Sequence, residues 1–195
     1  MKKRLRITFN APFVLAFVGL CFAVTVLGTL TNGKSTALLF MTYHSSLLSP
    51  LTWLRAFTHV LGHSGWAHLI GNMSYILLLG PMLEEKYGSR TLITVAAVTA
   101  LATSIFNYIV FPNIALCGAS GVVFAFILLS SFTGFKEGEI PLTFILVAAF
   151  YIGQQIFEGL TVSDNISNTS HIIGGVIGGF FGYILNVRSA GRRIR

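Results

Sequence analysis

Six apolar runs, separated by short polar segments, constrain this chain more than any other feature. They are Ala11 to Thr31, Ala67 to Leu83, Leu92 to Phe111, Leu116 to Phe132, Ile140 to Phe157 and His171 to Val187. Each has roughly the length that an α-helix needs to cross a bilayer. In hydrocarbon every backbone polar group must be satisfied within the segment, so apolar runs of this length read as helices. The composition agrees: 54% of residues are hydrophobic, 10% are charged, and the mean hydropathy is +0.78. Soluble domains carry about a quarter charged residues. The expected fold class is all-α, a polytopic membrane protein built as one six-helix bundle over residues 1–195, with no separate soluble domain.

The first run follows Lys2, Lys3, Arg4 and Arg6, a pattern shared with signal peptides. It is long enough to span and no A-x-A-like cleavage site follows it, so it reads as a retained helix. Residues 32–66 differ from the rest. Apolar patches there are broken by Gly33, Pro50, Gly62 and Gly65, which predicts a long connection with short amphipathic pieces in the membrane interface. Structured connections of this length are usually functional. At the second polar turn Gly88 suits a helix C-terminus and Ser89 the N-cap of the next helix.

The charges orient the bundle. Six spans put both termini on one side. That side holds Lys2, Lys3, Arg4, Arg6, Lys86, Arg90, Lys136, Arg188, Arg192, Arg193 and Arg195, whereas the other holds only Lys34 and Arg55. The asymmetry puts the termini in the cytoplasm by the positive-inside rule. It also accounts for the net charge of +7 through contacts with the membrane surface, without a nucleic-acid partner. The absence of a transit-type leader favours a bacterial plasma membrane. Cys21 and Cys117 both fall in apolar runs and read as small apolar fillers.

All five histidines then fall on the outer half: His44, His59, His63, His68 and His171. Polar and ionisable groups at membrane depth mark function. Ser120, within Gly118-Ala119-Ser120-Gly121, lies near the outer end of the fourth span. His171 opens the sixth span. His68 and Asn72 open the second, four residues apart and so on one helical face. Four polar groups from three helices converge at one depth. A serine hydroxyl becomes a nucleophile when a base takes its proton, and His171 is of the right type. The Ser120 N–H in a first helical turn, His68 and the Asn72 amide can donate to an oxyanion. No carboxylate falls at this depth, since Glu158 and Asp164 lie in an outer loop. The pattern therefore predicts a Ser–His dyad.

Each group also has a plain structural reading. Gly, Ala and Ser line close helix contacts in membranes, and a buried Asn bonds between helices. A histidine can simply sit at the interface. His59-x-x-x-His63 followed by His68 has zinc-ligand spacing, but the His-Glu-x-x-His glutamate is missing. A small transporter is a further class, against which the spans show no charged pair and no inverted repeat of broken helices.

From Trp53 to Gly182 the chain resembles the rhomboid intramembrane serine proteases. The resemblance rests on Trp53-x-Arg55, Phe57-Thr58-His59-x-x-x-His63, His68-x-x-x-Asn72, Glu84-x-x-x-Gly88-Ser89, Gly118-Ala119-Ser120-Gly121 and His171-x-x-Gly174-x-x-x-Gly178. It implies a six-helix core with a cavity open to the outside, Ser120 as nucleophile, His171 as base, and His68 and Asn72 as oxyanion partners. It implies that the first connection is the family's membrane-embedded loop, held by Arg55 and His59. It implies that Gly174 and Gly178 let the sixth helix sit against the fourth. Two positions depart from the family pattern. Phe124 stands where tyrosine is common, and Trp53-Leu54-Arg55 replaces the commoner Trp-Arg pair.

The expected activity is peptide-bond hydrolysis in or next to transmembrane segments of other proteins, through an acyl-enzyme on Ser120. Water must reach the dyad, and the outer histidines with Ser64 can hold it. No cofactor is needed. Phe144, Phe150, Tyr151 and Phe157 of the fifth helix are candidates to gate substrate access. The competing reading within the same fold is a catalytically inactive, membrane-protein-binding or quality-control factor.

Overall fold

The computed structural model describes residues 8–133, 139–161 and 165–193. The expected basic lead at residues 2–6, most of the turn at 134–139 and the loop carboxylate Asp164 lie outside them. Among the described residues every regular element is a helix: α1 (Pro12–Leu30), α2 (Lys34–Leu39), α3 (Pro50–Thr58), a 3-10 turn (His59–Leu61), α4 (Trp66–Tyr87), α5 (Ser89–Val110), α6 (Ser120–Ser131), α7 (Leu142–Thr161) and α8 (Asn165–Arg193).

The polarity of this bundle is inside out. Arg55, His59, Asn72, Glu84, Thr99, Thr103, Ser104 and Asn107 are buried, while Leu48, Ile70, Leu78, Ile93, Ile109 and Val176 face outward. Water would not tolerate such a surface on a monomer; hydrocarbon favours it. By length and composition alone α1 and α5 are apolar enough to cross a membrane. α4 is as long as α5 but carries His68, Asn72 and the Glu84-Glu85-Lys86 cluster. α6 has 12 residues, about 18 Å at 1.5 Å per residue, and is completed at its head by non-helical chain.

α1 starts with Pro12 at its first position, where the missing N–H costs nothing. Its orphan amides are capped from another helix. The buried Glu84 carboxylate accepts the N–H of Phe13 at 2.8 Å and of Val14 at 3.0 Å, and the Ser89 hydroxyl at 2.6 Å. Val14, Phe17, Cys21, Val24 and Gly28 repeat every three or four residues and form the buried stripe of α1. Gly80 lets α4 cross at Val14; a methyl there would meet Val14 Cγ2 at 2.6 Å. Threonines within α1 return their hydroxyls to carbonyls four residues back, as Thr25 does to Cys21 at 2.9 Å.

The connection between α1 and α4 contains short helical pieces, as expected. α3 buries Thr52, Arg55 and Ala56 and turns Trp53, Leu54 and Phe57 outward. Arg55 Nε donates to the Leu38 carbonyl at 2.7 Å, with its guanidinium over the Tyr43 ring. His59 lies between the Arg55 carbonyl and Thr103 Oγ1 of α5, each at 3.2 Å. Tyr108 of α5 donates to the Ser45 carbonyl at 2.7 Å. Thr42 and Leu116 exchange two backbone hydrogen bonds, at 2.9 and 2.8 Å.

α6 is the central element. Val122, Ala125, Phe126 and Leu129 are wholly buried, and α4, α5, α7 and α8 pack around them. The α6–α8 interface is the most extensive in the molecule.

Four sequence expectations need correction. The fourth helix begins at Ser120, not Leu116, because Leu116 is paired with Thr42 and Gly118 has φ +132°, which no helix accommodates. The sixth begins at Asn165, so His171 sits in its second turn rather than opening it. α4 runs to Tyr87 with Pro81 inside it, and α7 runs to Thr161, so the loop read over 158–169 shrinks. Gly88, with φ +81°, stands at the α4–α5 junction, and Ser89 is the first residue of α5, its hydroxyl spent on Glu84.

Candidate active site

Ser120 is the first residue of α6. The first intrahelical bond of that helix runs from the Val123 N–H to the Ala119 carbonyl at 2.9 Å, so the Ser120, Gly121 and Val122 amides precede it. Such amides carry the positive end of the helix dipole. The chain reaches this point through a fixed turn, in which the Gly118 N–H donates to the His59 carbonyl at 3.0 Å. Gly118 is required twice over. Its φ lies in the region that favours glycine, and a Cβ would stand 2.7 Å from His68 Cε1 and 2.8 Å from His68 Nε2.

His68 and Asn72 therefore face the turn that leads into Ser120. His68 Nδ1 is 3.1 Å from Ser64 Oγ, which leaves Nε2 as the nitrogen against Gly118. Asn72 Nδ2 is 3.8 Å from the same Cβ position. That amide nitrogen is buried and has no hydrogen-bond partner among the described residues. A buried orphan donor costs about 1–3 kcal/mol, so it marks a site rather than a structural bond.

His171 arrives from α8. Its ring packs on Phe124, centroids 4.3 Å apart and planes inclined at 35°. Phe124 follows Ser120 by one helical turn. The approach is set by glycines: a Cβ on Gly174 would stand 2.0 Å from the Gly121 carbonyl oxygen, and one on Gly178 2.1 Å from that of Ala125. The Ser170 carbonyl oxygen lies 3.4 Å from the Cβ position of Gly121. Ser120, His68, Asn72 and His171, picked from sequence, thus gather around the head of α6. On α4 the carboxylates Glu84 and Glu85 are at the other end, about 24 Å from His68 at 1.5 Å per residue.

Burial lowers the His59 imidazole to about 4, against weaker upward pulls from backbone hydrogen bonds at Arg55 and Ala56. His63 is also lowered to about 4, by burial first and then by the His68 ring beside it. His59 is bonded on both nitrogens, so it serves as a strut of the connection. Among the described residues no three His, Cys, Asp or Glu side chains converge as a metal would need.

Several supporting residues escaped the sequence reading. Thr99, Thr103 and Asn107 form a polar ladder on α5 at four-residue spacing. Thr103 holds His59, and Asn107 Nδ2 donates to the Ile114 carbonyl at 2.9 Å. The spacing itself was the available signal. Phe144 packs on Phe132 with centroids 4.4 Å apart, and Phe150 is exposed. The side chains of Tyr151 and Phe157 lie outside the described residues.

The motifs that build this geometry sit within residues 50–188, the stretch matched by the Rhomboid domain family model. The chain belongs to the rhomboid family. It is 31% identical over 180 residues to "Rhomboid protease GluP" of Bacillus subtilis, covering 89% of this chain and 34% of that protein. It is 33% identical over 162 residues to "Rhomboid-related protein 2" of Mus musculus, covering 70% and 52%. It is 26% identical over 175 residues to "Rhomboid protease GlpG" of Serratia proteamaculans, covering 86% and 60%. The chain thus spans between about a third and three fifths of the length of these relatives. Rhomboid membership makes it a multi-pass membrane protein, in accord with its inverted polarity. It also associates the chain with protease chemistry at the level of the family.

Proposed function

We propose that this rhomboid is an intramembrane serine endopeptidase acting through a Ser120–His171 dyad. What carries the reading is the orphaned Asn72 amide, aimed with His68 Nε2 at the turn before Ser120. In this mechanism Ser120 Oγ attacks the carbonyl carbon of a peptide bond as His171 takes its proton. The oxyanion is held by the Ser120 amide, the Asn72 amide and His68. With Ser64 donating to Nδ1, His68 keeps its proton on Nε2, the donor that the oxyanion needs. The intermediate collapses, the C–N bond breaks and His171 protonates the leaving amine. Water then attacks the acyl-enzyme, His171 takes its proton and returns one to Ser120, and the acid leaves. Side chains and the Ser120 backbone amide supply every role, and no cofactor enters.

The substrates are membrane proteins cut in or near a transmembrane segment, where a locally unwound stretch with a small residue can reach the head of α6. In this reading residues 1–195 form one six-helix domain in a cell membrane, bacterial by origin. The termini face the cytoplasm and the site opens on the outer side.

The test is labelling by a fluorophosphonate probe in detergent, beside Ser120→Ala and His171→Ala. Labelling that needs both residues supports the dyad. Equal labelling in all three proteins, or none in any, removes it and leaves a membrane-protein binding factor.

A further inference from the structure

An apolar crevice of about 270 Å³ opens between the first connection and α5. One wall is a single face of α5, from Leu101 through Ile105 to Ile109; the other is Leu47 with Trp53 and Ala56 of α3. The α5 face spans about 12 Å at 1.5 Å per residue. Leu101 stands near the midpoint of α5, and Ile109 near its end. That end is the one beside the candidate site. Ser104 bonds Thr42, and Thr42 pairs with Leu116, which leads into the turn at Gly118. The crevice therefore runs along the helix axis, from the level of the site towards the middle of the bundle.

The walls present carbon, although five of the lining residues carry polar side-chain atoms. Thr42 Oγ1 lies 2.8 Å from Ser104 Oγ, and Thr52 Oγ1 donates to the Ser46 carbonyl at 2.7 Å. Trp53 Nε1 donates to the Leu47 carbonyl at 3.0 Å, and the Tyr108 hydroxyl to the Ser45 carbonyl at 2.7 Å. All five are satisfied within the walls, so the crevice offers water no orphaned partner. Apolar cavities of this kind stay dry and take apolar guests.

Three features select a lipid chain as the guest. The crevice is continuous with the lipid-facing surface, since Leu47, Trp53, Ile105 and Ile109 that line it are also exposed. It lies along the bundle, and its length fits within one leaflet's half of a hydrocarbon core about 30 Å thick. Its rim at the site end is polar: the exposed His44 ring stacks on Tyr108, centroids 4.4 Å apart, at the level where amphipathic rings meet headgroups.

We propose that this crevice binds one acyl chain of a phospholipid from the leaflet on the Ser120 side, and that the chain braces α3 against α5. The brace reaches the site. Ala56 lies one turn before His59, and the His59 carbonyl accepts the Gly118 N–H at 3.0 Å. The position of α3 thus sets the turn into Ser120. The binding stands by itself; its effect on Ser120 rests on the function proposed above.

Native mass spectrometry tests the binding. The full chain, taken from dioleoylphosphatidylcholine nanodiscs into detergent, should retain one phospholipid. Leu101→Trp and Ile105→Trp fill the crevice from side chains that are not part of the buried core. Each should lower the occupancy at least about fivefold. Ile93→Trp, at an exposed position of α5 outside the crevice, should retain the lipid. No retained lipid in the wild type, equal occupancy in all four proteins, a free fatty acid in its place, or a dimer without lipid would each overturn the proposal.

Fluorophosphonate labelling reads the brace. Lipid-stripped wild type should label at least about fivefold more slowly than the same protein with dioleoylphosphatidylcholine restored. Ile105→Trp, whose indole takes the place of the chain, should label at one rate with or without lipid. Equal lipid dependence in the two proteins would overturn the brace. A wild type that retains the lipid but never labels at Ser120 would instead sink the protease reading, with the lipid site standing.

Discussion

The Gly121 carbonyl oxygen lies where a Gly174 side chain would begin, 2.0 Å from its Cβ position. This backbone contact between α6 and α8 lies one residue from Ser120 and three from His171. It sets the spacing of the two helices that carry the proposed dyad. Small residues promote such close crossings in membranes.

Gly174→Ala should therefore act on activity more than on stability. The helices must part to admit a methyl group, at a cost of about 1–3 kcal/mol. His171 moves with α8, and a displacement near 1 Å costs roughly 10²-fold in rate. Cleavage of a transmembrane substrate, compared with the thermal midpoint in the same detergent, checks the imbalance.

Asn72→Ala should separate function from stability. Its amide nitrogen is buried and unpartnered, so removing it should leave the folded protein as stable or slightly more so. Losing an oxyanion donor should lower kcat by about 10²–10³ with KM little changed. A fall in thermal midpoint together with activity would instead make Asn72 a structural residue.

Phe124 should matter through its face. Phe124→Tyr keeps the ring on His171 and should change the rate less than about threefold. Phe124→Ala removes the contact that orients the imidazole and should cost about tenfold or more. Rates of fluorophosphonate labelling measure both.

Glu84→Ala should do the opposite of Asn72→Ala. It strips the amides of Phe13 and Val14 and the Ser89 hydroxyl of their acceptor. The bundle should lose about 3 kcal/mol, while each folded molecule keeps its activity. Denaturation in mixed micelles, with activity normalised to folded protein, distinguishes the two.

Acid should loosen the first connection. The His59 value in the folded state, about 4, lies below its ordinary 6.5, so the unfolded chain binds the proton first. The stabilisation is complete above pH 6.5 and is lost as pH falls from there towards 4, by up to about 3 kcal/mol. Thermal midpoints across that range should fall in the wild type and flatten in His59→Asn.

Much of the fold is legible in the residues alone. Hydrocarbon leaves the backbone few choices, so the apolar runs could only be helices. Inward polar groups are costly enough in a membrane that Ser120, His171, His68 and Asn72 stood out by depth. Helix ends were read less well. Leu116 and Cys117 continue the apolar run, yet they are held out of the helix by Thr42 and the φ of Gly118. Ser89 has the chemistry of a cap, but Glu84 claims its hydroxyl.

The helical class, the inverted polarity and the set of polar groups follow from residue type and spacing against one solvent. Which groups meet depends on how the helices pack. The Glu84 cap on α1, the His59 strut on Thr103 and the approach of His68 and Asn72 to Gly118 all bring together residues distant along the chain. Their geometry depends on how closely helices cross, which is fixed at the missing Cβ atoms of Gly80, Gly118, Gly174 and Gly178.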